Sequence, residues 1–217
     1  MNAHLDFLLS PIYDRDALAP EHLADLGKSG LTHATIQRQK IRSIPPNMIP
    51  QLLGFDLPAT RSAYLLPFPD PRGGWMDHVR LKIFPALADR NGHAVRYLQP
   101  KGSGVRLFFP LSTLTEAMHG PAAVWLVEGE KKSLAVAQLG LPAVGFAGIE
   151  GWHRKGERAL IEDFAFLNLA GRLVELVPDG DLHTNPDVAR GTRRFADALM
   201  ERGAQVRIVV LPAEITA

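Results

Sequence analysis

From residue 121 onward, short apolar runs alternate with amphipathic segments, and this alternation constrains the fold more than any other feature. The apolar runs cover residues 124–128, 142–146, 172–177 and 205–210. Helical patterns lie between them at residues 130–139, 157–168 and 188–202. Runs that are apolar throughout are typical of parallel strands that are buried on both faces. The alternation therefore predicts an α/β fold in which a parallel sheet is flanked by helices.

The residues before 121 follow a different pattern. Residues 1–60 contain short helical stretches that proline and glycine interrupt, which indicates a helical N-terminal segment. Residues 61–120 contain the β-type runs SAYLLPF, DHVRLKIFP, AVRYLQP and VRLFFP, separated by the turn sequences PDPRGG, ADRNG and KGSG. Such runs and turns predict an antiparallel meander. We therefore predict three parts, at 1–60, 61–120 and 121–217.

The second run of the meander alternates between apolar and basic residues. In HVRLKIF, Val79, Leu81 and Ile83 share one face of the predicted strand, while Arg80 and Lys82 lie on the other. This pattern predicts a sheet with one apolar face packed on a core and one basic face.

Composition excludes several classes of site. The chain has no cysteine, so disulfides, thiol nucleophiles and cysteine zinc sites are ruled out. Its formal net charge is +1, so a nucleic-acid surface would have to be a local basic patch. No run approaches the roughly 20 apolar residues of a membrane span, and the N-terminus is a poor signal peptide. We expect a cytoplasmic protein with no membrane partner.

Acidic side chains follow two of the predicted parallel strands at the point where each strand ends. Glu128 closes the run VWLVE, and Asp179 and Asp181 come just after the run RLVELV. Ligands of open parallel sheets bind outside the carboxyl ends of the strands, so these side chains meet if the two strands are neighbours. A hard divalent cation such as Mg²⁺ or Mn²⁺ would relieve the repulsion among them.

We therefore expect a metal site formed by Glu128, Asp179 and Asp181, with Glu128 as a ligand or as a general acid/base. Each motif also has a simpler interpretation. A glutamate after a strand is favoured by the dipole of the helix that follows, and DGD is a common turn sequence.

These motifs resemble the Toprim domain, which DnaG-type primases, topoisomerases and some nucleases share. That domain has a Glu after its first strand and an Asp-x-Asp after a later one, which correspond here to Glu128, Asp179 and Asp181. The segments LLPFPDPRGG and RYLQPKGSGVRLFFP are similar to the stretch before this domain in DnaG-type primases. EGEKKS is similar to the Toprim-like domains of plasmid and phage replication proteins. The resemblance covers roughly residues 60–212 and implies a Toprim-type parallel sheet after an N-terminal helical and antiparallel β subdomain.

The resemblance also implicates basic residues in holding template or nucleotide. It places Arg80 and Arg96 at basic positions of the primase strands and Arg106 near another. Tyr97 offers a surface on which a base could stack. The expected set of nucleic-acid or nucleotide contacts is Arg80, Lys82, Arg96, Tyr97, Lys101, Arg106, Lys131 and Lys132. For the residues of the meander, the alternative interpretation is a solvated sheet face.

The function implied by the resemblance is that of a primase-like nucleotidyltransferase of the DNA-directed RNA polymerase type. Such an enzyme would make a primer on single-stranded DNA from nucleoside triphosphates, with Mg²⁺ or Mn²⁺ as cofactor. The expected setting is phage or plasmid replication, and a replicative helicase is a further candidate partner. One alternative is a Toprim-type metal-dependent nuclease. The other is a non-catalytic module that binds single-stranded nucleic acid, because Lys132 stands where DnaG-type primases have an aspartate.

Overall fold

The computed structural model describes residues 3–14, 18–57, 59–90 and 92–211, and the side chains of residues 3–7 and 181 lie outside this description. The chain divides into two compact units, Met1–Ser103 and Gly104–Ala217. Within the described ranges, every helix is too short or too polar to span a lipid bilayer.

The described residues of the first unit form an antiparallel sheet and several short α-helices. The helices are α1 (Ala3–Tyr13), α2 (Pro20–Gly27), α3 (His33–Arg38) and α4 (Ile49–Leu53). The strands are β1 (Arg42–Ile44), β2 (Ser62–Pro69), β3 (Trp75–Ala88) and β4 (Ala94–Leu98). They lie in the order β1-β2-β3-β4, and each neighbouring pair is antiparallel.

The turn between β2 and β3 follows the chemistry that PDPRGG predicts. The Asp70 N–H donates to the carbonyl of Gly74 at 3.0 Å, and the Asp70 carboxylate accepts the backbone N–H of Arg72 at 2.9 Å. Gly73 and Gly74 have φ values of 111° and 79°, which side chains rarely adopt. The two glycines therefore allow β3 to return directly along β2.

One of the four predicted meander strands lies elsewhere. The run VRLFFP does not join the antiparallel sheet: Phe108 pairs with Gly145 inside the second unit, through backbone hydrogen bonds of 2.8 and 2.7 Å. This run is buried within the second unit: Leu107, Phe108 and Phe109 are all fully buried and lie beyond the unit boundary at Gly104. The fourth strand of the sheet is β1, in a stretch that we predicted to be helical.

Both faces of β3 are covered between His78 and Ile83. Val79, Leu81 and Ile83 pack into the core beneath α1 and α4, as the alternation predicts. The opposite face was predicted to be basic and is instead largely buried: His78 is 2% and Lys82 8% exposed. Helix α2 lies over this face, because its residue Asp25 contacts Lys82. The simpler alternative, a solvated sheet face, is therefore wrong for Lys82.

The second unit contains the parallel sheet. Its strands are β5 (Val124–Glu128), β6 (Ala143–Phe146), β7 (Leu173–Val177) and β8 (Gln205–Ile208). Its helices are α5 (Leu114–His119), α6 (Glu130–Ala137) and α7 (Pro186–Glu201). The order is β6-β5-β7-β8, and all three pairings are parallel. The predicted strands, the parallel sheet and the first and last predicted helices are confirmed, with small differences at their ends.

The helix predicted at 157–168 is wrong. The structure has only a short 3₁₀ helix there, Glu162–Phe166. Its backbone is engaged in tertiary contacts: the Ile161 N–H donates to the carbonyl of Trp152 at 2.9 Å, and His153 pairs with Leu160. The Asp163 side chain is also turned inward, and the residue as a whole is 4% exposed. These contacts replace the local hydrogen bonds that a continuous α-helix would need.

Candidate active site

The carboxylates at the ends of β5 and β7 are close together because these strands are direct neighbours. In the register of the pair, Val127 lies opposite Val177, so both strands end at the same edge of the sheet. The backbone N–H of Asp179 donates to Oε2 of Glu128 at 2.9 Å. One carboxylate thus contacts the backbone of the residue that carries the second.

The turn that presents Glu128 is fixed by Gly129. This residue has a φ of 98°, and its N–H donates to the carbonyl of Phe146 at 2.8 Å. Helix α6 begins directly afterwards, and the Ser133 N–H closes its first turn on the carbonyl of Gly129 at 3.0 Å. A side chain at position 129 would be strained in this conformation. Strand β5 therefore passes into α6 without a loop, and Glu128 stays at the sheet edge.

Lys132 also reaches this edge. It lies in the first turn of α6, and its Nζ forms an ion pair with Oδ1 of Asp179. Both side chains are accessible, at 51% for Lys132 and 46% for Asp179. Among the side chains described at this edge, the Glu128 and Asp179 carboxylates thus lie beside the Lys132 ammonium group. Lys131, the neighbouring predicted phosphate contact, is partly buried.

The donor chemistry at this edge suits a hard divalent cation. Glu128 and Asp179 offer carboxylate oxygens, which Mg²⁺ and Mn²⁺ prefer over nitrogen or sulfur. The side chain of Asp181, the third predicted ligand, lies outside the described residues, although its backbone is part of the 3₁₀ helix Gly180–His183. Among the side chains that are described, no group of three His, Cys, Asp or Glu residues could hold a metal.

Lys82, predicted to contact nucleic acid, is held in the interior of the first unit. Its Nζ lies 2.5 Å from Oδ1 of Asp25, and the Tyr64 hydroxyl donates to the other oxygen of Asp25 at 2.8 Å. Burial, together with the neighbouring charges of Tyr97 and Asp25, raises the pKa of the Tyr64 hydroxyl far above its usual range. The Lys82 ammonium also lies 5.6 Å from the centre of the Tyr97 ring. These contacts make Lys82 a structural residue.

The other predicted contacts in the first unit are more accessible. Arg80 lies over the ring of Tyr97, with 5.4 Å between its guanidinium carbon and the ring centre. Arg96 and Lys101 are exposed. Pairing between β3 and β4 is irregular after Lys82, and Arg96 lies in this irregular stretch.

Arg106 belongs to the second unit and is ion-paired. Its Nε donates to both carboxylate oxygens of Asp163, at 3.1 and 2.9 Å. Asp163 also accepts the backbone N–H of Leu107 at 2.8 Å. The Arg106 side chain is 30% exposed and that of Asp163 6%. The basic residues that we grouped on one predicted surface are therefore divided between two units.

Sequence reasoning missed the partners of these basic residues. Asp25 lies 57 positions before Lys82, and Asp163 lies 57 positions after Arg106, so no local pattern links either pair. It also missed a charged groove of about 520 Å³ along α7, lined by Glu150, Asp187, Arg190, Arg193, Arg194 and Asp197. Here the spacing of arginines in VARGTRRF was a usable signal. Three guanidinium groups face three carboxylates, so the groove carries no net charge that would attract an anion.

Comparison with known proteins agrees with this geometry at the level of the fold. The chain superimposes on the crystal structure of the Aquifex aeolicus primase, zinc-binding and RNA polymerase domains, with a TM-score of 0.65 and 17% sequence identity. The match covers 96% of this chain and 55% of that one. The fold is primase-like.

Two further comparisons bear on the sequence itself. Residues 117–216, which contain the parallel sheet, match the family model of a domain of unknown function, DUF3854. No curated protein matches the sequence. This chain spans about half the length of the primase chain that it resembles, so the activity and partners of that protein are not transferred by the match.

Proposed function

We propose that the protein is a primase-like nucleotidyltransferase that synthesises a primer on single-stranded DNA. The observation that carries the proposal is the pairing of Glu128 with the backbone of Asp179 at the ends of two adjacent parallel strands. This edge is where open parallel sheets bind their ligands. The primase-like fold makes nucleotidyl transfer the reaction that best suits carboxylates in this position.

Glu128, Asp179 and Asp181 would hold Mg²⁺ or Mn²⁺. When bound, such an ion polarises phosphoryl oxygens and lowers the barrier to attack by a hydroxyl group. Glu128 is the residue best placed to accept or return a proton, since it is partly buried and its Oε2 is oriented by the Asp179 N–H. Lys131 and Lys132, in the first turn of α6, would contact the phosphates of the incoming nucleotide.

The accessible basic residues of the first unit would bind the template. Arg96 and Lys101 are exposed, and Arg80 with Tyr97 forms a cation–aromatic pair on which a base could stack. Lys82 would support this surface through its ion pair with Asp25 in the same unit. A replicative helicase, a phage or plasmid setting and a cytoplasmic location remain predictions of the sequence.

A template-directed extension assay tests the proposal. Full-length protein is incubated with single-stranded DNA, nucleoside triphosphates and Mg²⁺ or Mn²⁺, and labelled products are resolved by length. We expect primers from the wild type, and a loss of roughly a hundredfold or more for Glu128→Gln and for Asp179→Asn with Asp181→Asn. Glu162→Gln, which changes an exposed carboxylate elsewhere in the unit, should retain activity. Undiminished extension by the double variant would contradict the metal-site assignment.

One observation favours a non-catalytic alternative. The Lys132 ammonium already pairs with Asp179 and so neutralises its charge without a metal ion. On this alternative, the protein binds single-stranded nucleic acid and catalyses no reaction. In that case no extension occurs with either metal, while DNA binding persists and weakens steeply with salt. Shortening of the labelled template without nucleotides would instead identify a nuclease that uses the same carboxylates.

A further inference from the structure

The ion pair between Lys132 and Asp179 joins two elements of the candidate active site. Lys132 lies in the first turn of α6, and Asp179 follows the end of β7. The pair brings a positive charge to the edge where Glu128 and Asp179 place two negative ones. Lys132 therefore supplies, from within the chain, part of the neutralisation that a divalent cation would otherwise provide.

The contact is accessible, and this determines how firmly it is held. Both side chains are about half exposed, at 51% and 46%. Exposed ion pairs contribute only about 0–1 kcal/mol, because water screens the charges and two long side chains lose freedom. A contact of this strength can be exchanged for another without disturbing the fold around it.

The geometry points to Lys132 as an exchangeable counter-ion that competes with the divalent cation for Asp179. This inference rests on the proposed function, since it assigns a role within the same site. A divalent cation that binds the Asp179 carboxylate displaces the Lys132 ammonium from it. The displaced ammonium then needs an anionic partner, and the phosphates of a nucleoside triphosphate provide one, since lysine binds phosphate as a mobile point charge.

Coupling between metal and nucleotide follows from this exchange. Without nucleotide, the Lys132 ammonium is ion-paired with the Asp179 carboxylate and weakens metal binding there. With nucleotide present, Lys132 is drawn to phosphate, Asp179 is released and the metal binds more tightly. Because such coupling is reciprocal, bound metal tightens nucleotide binding by the same factor. The site would therefore assemble with both ligands together.

Calorimetric titration of the full chain with Mn²⁺ alone tests the first step. Lys132→Ala should bind Mn²⁺ about two- to fivefold more tightly than the wild type. This ratio corresponds to the free energy of one exposed ion pair that no longer competes with the metal. Lys131→Ala is the matched control, because it removes the same charge from the adjacent position of α6. The Mn²⁺ affinities of the two variants should differ more at physiological than at low ionic strength. Salt screens the general effect of losing a surface charge, whereas the direct contact between Lys132 and Asp179 is screened less.

A second background isolates the contact itself. In Asp179→Asn protein, Lys132 has no carboxylate partner at position 179, so adding Lys132→Ala should change Mn²⁺ affinity no more than adding Lys131→Ala does. At saturating Mn²⁺, Lys132→Ala should bind a non-hydrolysable triphosphate analogue about two- to fivefold more weakly than the wild type does.

The outcomes separate the inference from the proposed function. Measurable Mn²⁺ binding with equal affinities for Lys132→Ala and Lys131→Ala overturns the exchange and leaves the metal site standing. Binding by Lys132→Ala with none by the wild type supports the exchange in its strongest form. Absence of Mn²⁺ binding by every variant overturns both the exchange and the metal-dependent part of the proposed function.

Discussion

Each unit of the protein contains a lysine–aspartate pair, and the two pairs differ mainly in their surroundings. In the first unit, the side chains of Lys82 and Asp25 are 10% and 18% exposed, and Tyr64 donates a further hydrogen bond to the same carboxylate. In the second unit, Lys132 and Asp179 are 51% and 46% exposed. The chemical groups are identical, but one pair lies between a helix and a sheet, and the other lies at a sheet edge in contact with solvent.

This difference separates a structural role from a binding role. Removing one partner of a buried pair leaves the other charged and without water, which is strongly destabilising. Removing one partner of an exposed pair costs little, because water replaces it. We therefore expect the buried pair to determine the stability of its unit, and the exposed pair to be available for ligands.

The largest predicted effect follows replacement of Lys82 by methionine. This change leaves the buried Asp25 carboxylate without its ammonium partner, so we expect the free energy of unfolding to fall by about 3–5 kcal/mol. Urea denaturation of the full chain, followed by far-UV circular dichroism, measures it. Lys101→Met, an exposed lysine in the same unit, is the control and should change the value little. A stable Lys82→Met protein with impaired DNA binding would instead support the nucleic-acid role that the sequence suggested.

A somewhat smaller effect is expected at Asp163. Its carboxylate is 6% exposed and accepts hydrogen bonds from Arg106 and from the backbone N–H of Leu107. Asp163→Ala leaves that buried N–H without an acceptor, which costs about 1–3 kcal/mol, and we expect the upper part of this range because Arg106 also loses its partner. Denaturation of Glu162→Ala, the adjacent exposed acid, provides the comparison. Equal stability of the two variants would contradict a structural role for Asp163.

Features of the fold and site that depend on local sequence patterns could be predicted, whereas long-range side-chain contacts could not. The parallel strands were predictable because each is apolar throughout, and the β5–α6 junction placed Glu128 at a strand end. The juxtaposition of Glu128 and Asp179 followed from strand neighbourhood alone. The contact between Lys82 and Asp25 was not predictable, because the two residues are 57 positions apart and no periodic pattern in the sequence links them.

The errors in the fold have a similar origin. β1 has only three residues, too few for an alternating pattern to be recognised. The stretch at 157–168 has a helical pattern, but its backbone and Asp163 take tertiary hydrogen bonds instead. Phe108 belongs to a run of β-type residues, yet its bridge to Gly145 lies in the second unit. In each case long-range contacts overrode a local preference.

A pH-dependent effect is expected in the first unit, where His22 extends the buried polar region around Asp25. His22 is 1% exposed, and its ring nitrogens lie 2.7 Å from Ser43 Oγ and 3.2 Å from Ser62 Oγ. Burial lowers the pKa of His22 below 6.5, although the charges of Glu21 and Asp25 oppose the shift.

The sign of the effect follows from proton linkage. As pH falls below 6.5, the unfolded chain binds a proton at His22 before the folded chain does, so the free energy of unfolding decreases. Urea midpoints measured at several pH values between neutral and acid should show this decrease. His22→Gln, which keeps hydrogen-bonding groups but cannot titrate, should show a flatter profile over the same range. Identical profiles would mean that other groups cause the acid sensitivity.

The smallest effect on stability is expected at Lys132, and it completes the comparison with Lys82. Because the pair with Asp179 is half exposed, Lys132→Ala should change the free energy of unfolding by less than about 1 kcal/mol, and the change should shrink further in high salt. Urea denaturation at low and high ionic strength checks both statements. A loss of about 3 kcal/mol, as expected for Lys82, would mean that the Asp179 contact holds the sheet edge together. An ammonium held that firmly could not exchange with a metal ion, because its departure would cost as much as the breaking of a buried pair.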